Sequence, residues 1–121
     1  MPHIQIKHSS NIKTKINYIL FDDLIIILTK LANVKPENCK CNIIKVKEYY
    51  LKSNKLKEGF IHLDIKILEG RSKDIINQIG EQSIKVLQLF FQADIIDTPL
   101  QHSVEIQEMK RSNYFTSNKI K

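Results

Sequence analysis

The feature that most constrains this 121-residue chain is a single pattern that runs through it twice. Near the N-terminus, His3 to His8 alternates. Ile4 and Ile6 fall on one side and His3, Gln5 and Lys7 on the other, as expected of a half-buried strand. Ser9, Ser10 and Asn11 break it. In the helical stretch that follows, Leu24, Ile27, Leu28 and Leu31 recur at helical spacing. Asp22 and Asp23 are expected near its first turns and Pro36 ends it. Cys39 to Tyr50 is β-rich, and Lys52 to Gly59 reads as a polar, lysine-rich loop. The order then restarts. Phe60, Ile61, Leu63, Ile65 and Ile67 make a strand, Glu69-Gly70 a turn, and Ser72 an N-cap with Asp74 in the first helical turn. A stripe from Ile75 through Ile79, Ser83 and Leu87 to Phe91 carries this helix to about Ala93, and Gly80 within it suggests close packing. Beyond Pro99, His102 to Lys110 alternates again, with Val104 and Ile106 inward.

The plan is therefore β-α-β, loop, β-α-β: one domain over 1–121 with halves at about 2–50 and 59–110, and a polar C-terminal segment over 111–121. Four strands with two helices on one face make an α/β (α+β) sandwich layer. Strands such as Phe60 to Ile67 read as apolar-rich on both faces. That predicts an oligomer which buries the face the helices leave bare. The polar segment Arg111 to Lys121 is expected to reach a neighbouring subunit.

Composition narrows the function classes. Apolar residues make up 42 %, enough for one core. The net charge of +6 comes from 17 lysines and only 2 arginines, and the lysines run from Lys7 to Lys121 without the clustered, aromatic-interleaved face of a nucleic-acid binder. The longest apolar run, Leu24 to Leu28, is far too short to span a membrane. No basic-then-apolar leader pattern opens the chain. Cys39 and Cys41 stand too close for an ordinary structural disulfide, so a reduced, cytoplasmic protein is expected. His3, His8, His62 and His102 show no metal-ligand spacing. His62 is expected to be packed or hydrogen-bonded on the sheet, and no metal site is expected.

Particular strings carry a resemblance. ILEGRS (Ile67 to Ser72), ending a strand and opening a helix, resembles the tautomerase superfamily. MPH followed by a strand and Ser9 to Ile12, with VEIQEM (Val104 to Met109), Asn113-Tyr114-Phe115 and Asn118, resembles the 5-carboxymethyl-2-hydroxymuconate isomerase family more narrowly. The likeness spans nearly the whole chain. It implies a four-stranded mixed sheet with two helices on one face, a homotrimer, and an isomerase that moves a proton across a conjugated keto–enol carboxylate. It further implies that Met1 is removed, that Pro2 becomes the general base as a secondary amine, and that no cofactor is needed.

The residue chemistry agrees with that role. Burial and nearby cations would push a terminal proline amine toward its neutral, proton-accepting form. Arg71 is one of two arginines in a lysine-rich chain and precedes a helix N-cap. Its planar guanidinium can grip a carboxylate bidentately, as lysine cannot. Ten residues before Arg71 stands Ile61, where short tautomerases carry their proline; ten residues after Pro2 stands Ile12, not arginine. Each half thus keeps what the other lacks, so the pocket is expected between the halves or between subunits. The resemblance also places a substrate-binding arginine at Lys40, often with a second basic residue where this chain has Asn42, and Glu where it has Lys7. Lys40 is taken as the second substrate-binding residue. Two other readings stay open: a tautomerase of a phenylpyruvate-like enol, and an oligomeric protein that kept the fold while its site decayed.

Overall fold

The computed structural model describes residues 1–52, 58–97 and 99–117. Its strands are β1 (His3–Ser9), β2 (Lys40–Val46), β3 (Gly59–Leu68) and β4 (Leu100–Met109), and its helices are α1 (Tyr18–Ala32), α2 (Lys73–Phe90) and α3 (Gln92–Asp97). The strands form one mixed sheet in the order β2-β1-β3-β4. β1 and β3 are antiparallel neighbours at the centre, and each pairs in parallel with the second strand of its own half.

Alternation places the core. Ile4 and Ile6 of β1 and Ile61, Leu63, Ile65 and Ile67 of β3 are buried beneath Leu20, Leu24 and Leu28 of α1 and Ile79 and Leu87 of α2. Val104 and Ile106 of β4 pack on the same side. The opposite face corrects the sequence reading. Its β3 positions are Phe60, His62, Asp64 and Lys66, in register with Gln101, Ser103, Glu105 and Gln107 of β4. The face left bare by the helices is mainly polar, because the isoleucines of β3 all share the other side.

Helix boundaries also shift. Asn17 caps α1 by accepting from the Ile19 N–H, so Asp22 and Asp23 fall in its second turn, just past the first, which holds no acidic residue. α1 stops at Asn33, which adopts the left-handed conformation (φ 54°), before Pro36 is reached. Pro36 opens a 3-10 turn instead. β2 ends at Val46, short of Tyr50. Ser72 caps α2 as expected, its hydroxyl oxygen accepting from Ile75 N at 3.2 Å. The second helix breaks at Phe91, and α3 continues to Asp97. A methyl group at Gly80 would meet Ile106 at an ordinary 3.6 Å, so close packing does not demand glycine there. Of the expected loop over Lys52 to Gly59, residues 53–57 lie outside the described residues, and Gly59 begins β3. The backbone there is held close: a Cβ on Gly59 would fall 2.7 Å from Ser9 Oγ and 2.8 Å from Asn11 Oδ1. Asn118 and the rest of 118–121 also lie outside the described residues. The start of the C-terminal segment folds back on its own chain, where Tyr114 Oη and His3 Nε2 are 2.9 Å apart.

Asp94 ties the two halves together. It is 4 % exposed, and its carboxylate accepts from Lys13 N at 2.7 Å, from Thr14 N at 3.2 Å and from the Thr14 hydroxyl. Asp94→Ala should cost about 2–3 kcal/mol by stranding these donors, and should lower the urea midpoint followed by far-UV circular dichroism. An unchanged midpoint would show that water replaces the carboxylate there.

Candidate functional site

The start of β1 is the natural place to look for chemistry. Pro2 needs no ladder donor where a strand begins, since it has no N–H. Its carbonyl accepts from Lys40 N at 3.0 Å, which fastens it to the first residue of β2. Pro2 is buried.

A cavity of about 270 Å³ opens beside it. One wall comes from the first half: Asn33, Val34, Lys35 and Asn38, the turn between α1 and β2. The other comes from the second half: Ile67 and Leu68 at the end of β3, then Arg71 and Arg111. The cavity therefore lies between the pseudo-symmetric halves of one chain. Gly70, at φ 125°, makes the left-handed turn that brings Arg71 into it.

Arg71 is anchored on both sides. Its Nη1 donates to Leu68 O at 2.8 Å and its Nη2 to Ala32 O at 2.7 Å. The second bond puts the cation at the carbonyl end of α1, where the helix dipole favours it. Among the described residues these bonds use two of its five guanidinium N–H donors. Arg111 was missed by sequence reasoning, although the scarcity that marked Arg71 applies equally to it. It is exposed, its Nε donates to Glu69 O at 3.2 Å, and its backbone N–H donates to Glu69 Oε2 at 2.7 Å. Lys35 adds a third cation, and among the described residues no acidic side chain lines the cavity. The lining is thus suited to a small anionic ligand.

Lys40 is placed differently. It lies at the edge of a depression of about 430 Å³ on the uncovered sheet face, with His3, Gln5, Asn42 and Lys66. It does not line the Pro2 cavity, but its Nζ is 3.4 Å from Sδ of Met1, which does. His3 in the same depression has its imidazole pKa lowered, first by burial and then by Lys40, the N-terminal ammonium and Lys66. Ile61, the counterpart of the proline position in the second half, is wholly buried in the core. A second base site at that position is closed off by packing.

No helix among the described residues is long and apolar enough to cross a membrane. No curated protein matches the sequence. Solved structures do share its fold. A 5-carboxymethyl-2-hydroxymuconate isomerase from Deinococcus radiodurans R1 superposes with a TM-score of 0.83 at 24 % identity, covering 95 % of this chain and 87 % of that one. A 5-carboxymethyl-2-hydroxymuconate delta-isomerase gives 0.75 at 15 % identity, over 96 % of this chain and 87 % of that one. A fused 4-OT described as a symmetric trimer gives 0.69 at 6 % identity, over 96 % and 92 %. The sequence itself matches the profile of the 5-carboxymethyl-2-hydroxymuconate isomerase family over residues 2–121. A match that runs from the proline at the cavity to the end of the chain makes this protein a member of the 5-carboxymethyl-2-hydroxymuconate isomerase family, an isomerase of the tautomerase superfamily.

Proposed function

We propose that this isomerase moves a proton across a conjugated keto–enol carboxylate, with Pro2 as the base once Met1 has been removed. The observation that carries this reading is the cavity itself: Pro2, Arg71, Arg111 and Lys35 line one space with no acidic side chain among them. Loss of Met1 would turn the Pro2 amide into a secondary amine and clear Met1 from the lining. The pyrrolidine ring then fixes the direction of the nitrogen lone pair. The amine takes a proton from a dienol or from carbon beside a carbonyl and returns it elsewhere on the conjugated system. Arg71 holds the substrate carboxylate through its guanidinium. Lys40, released from Met1 Sδ, is a further cation for the substrate. The reaction needs no cofactor and no nucleic acid or membrane partner.

The chain is proposed to act as one domain of two β-α-β halves, in the cytoplasm, as a homotrimer. Support for the trimer comes from the symmetric trimer among its structural neighbours and from β2 and β4 standing outermost in the sheet of described strands. On β2, Ile43 and Ile44 are each 40 % exposed, an apolar edge suited to a neighbouring subunit.

The substrate class is tested by ultraviolet absorbance, using protein whose mass shows a free Pro2. A dienol bearing two or more carboxylates should isomerise at a rate well above buffer and well above that of phenylpyruvate enol. A preference for phenylpyruvate would reassign the substrate, and no acceleration of either would overturn the enzymatic reading.

A further inference from the structure

We propose that His62, Asp64 and Glu105 form a binding site for a divalent transition-metal ion, best matched by zinc, on the uncovered face of the sheet. Strand geometry assembles it. His62 and Asp64 are two apart on β3 and so share a face. The parallel ladder sets Glu105 of β4 beside Asp64 and Ser103 beside His62. Their ligand atoms all lie within 4.8 Å of one another. His62 Nε2 is 3.1 Å from Asp64 Oδ1 and 3.9 Å from Glu105 Oε1. Zinc bonds of about 2.0–2.1 Å in a tetrahedron put neighbouring ligand atoms about 3.3 Å apart, which falls between those two distances.

Two further side chains hold the ligands in place. His62 Nδ1 lies 2.6 Å from Ser103 Oγ. The hydroxyl can accept from Nδ1–H, and that tautomer turns the Nε2 lone pair toward the carboxylates. Gln107 Nε2 donates to Glu105 Oε2 at 3.2 Å, leaving Oε1 toward the imidazole. Lys7 is the β1 partner of His62 and Lys66 follows Asp64 by two residues on the same face. Even so, neither carboxylate has a lysine or arginine partner within 4.0 Å among the described residues. Three protein ligands at a partly exposed position leave the fourth open to water. One imidazole and two carboxylates suit zinc and its neighbours better than soft copper(I). None of the three ligands lines the Pro2 cavity, although Asp64 shares the neighbouring depression with Lys40 and Lys66. The cysteines are poorer competitors. Burial raises the Cys39 thiol pKa and pushes that of Cys41 up to about 11, which disfavours the thiolate that a metal needs.

Calorimetric titration of the full chain with zinc chloride tests the proposal. One ion per chain should bind, and His62→Ala and Glu105→Gln should each weaken binding about 10-fold or more. Ser103→Ala, which keeps all three ligands, should weaken it about 10-fold through loss of imidazole orientation. Circular dichroism melts would confirm that each variant is folded. A Cys39→Ser/Cys41→Ser double variant should bind as the parent does. Titration with cobalt(II) should give visible d–d bands that vanish in His62→Ala. Zinc binding that survives His62→Ala, binding lost in the cysteine variant, or no binding up to millimolar zinc would each overturn the site.

Discussion

A chain that retains Met1 should be nearly inert on the same dienol that the processed chain isomerises. The reason is the nitrogen. Joined to Met1, Pro2 is an amide whose lone pair is delocalised into the carbonyl, and it has no useful basicity. Freed, it is the secondary amine of a buried proline at the edge of the cavity. Desolvation disfavours its ammonium form, and Arg71, Arg111 and Lys35 around the same space repel it. These effects share a sign, so kcat/KM should rise with pH through one titration below the value of about 8 of an ordinary α-amino group. Below that titration the base is protonated and activity is lost; above it activity levels off. Pro2→Ala, with its Met removed, still ends in an amine, but the ring no longer aims the lone pair. A large fall in kcat with some residual turnover is expected, on the order of 10²-fold for loss of a positioned base. Stopped-flow or steady-state ultraviolet assays on chains of verified mass would measure both effects. Equal turnover by the Met1-retaining and processed chains would exclude proline-based catalysis.

Arg71→Ala should lower kcat/KM for a carboxylate substrate by about 10²-fold or more, which corresponds to about 2–4 kcal/mol of lost charge-assisted contact. The structure adds a second consequence. The same guanidinium ties Ala32 O at the end of α1 to Leu68 O at the end of β3. Removing it should also cost about 1–3 kcal/mol of stability, because those partly buried carbonyls lose a charged donor. The two effects are separable. Melting followed by circular dichroism reports the tie between α1 and β3, whereas kcat/KM measured well below the melting temperature reports the substrate contact. Arg71→Lys should recover part of the charge but not the paired geometry, since one ammonium cannot reach both carbonyls and a carboxylate in a planar fork. Wild-type kinetics in either variant would remove Arg71 from substrate binding and leave it a purely structural residue.

Much of the architecture was legible in the residues. Strand alternation has a period of two, and in β1 and β4 it put Ile4 and Ile6, and Val104 and Ile106, on one side. Ser72, Gly70 and Pro99 marked boundaries for local steric and hydrogen-bonding reasons that need no tertiary information. The start of α1 was less visible. Its cap, Asn17, precedes Tyr18 and Ile19, which are 85 % and 62 % exposed, so apolar periodicity first becomes regular well inside the helix. The bare face was misread because apolar residues were counted along the strands, not assigned to alternate sides. Pro2 and Arg71 stood out by type and by motif, and the sequence alone was enough to put them forward together.

Only the tertiary structure decided which distant residues share a space. Register between strands and the path of each turn are set by packing over the whole sheet, and neither is written in local spacing. That is why Arg111 joins Arg71 and Pro2 in one cavity, while Lys40, fastened to Pro2 through its backbone, turns its side chain to the neighbouring depression. It is also why histidines without any metal-ligand spacing could hide a cluster. His62 and Asp64 were visible as neighbours on a strand, but Glu105, some forty residues away in sequence, is beside them only because β4 pairs with β3 in that register. The residue types and the order of the elements were determined by the sequence alone. The company each side chain keeps follows from long-range pairing, whose energy depends on the whole folded sheet.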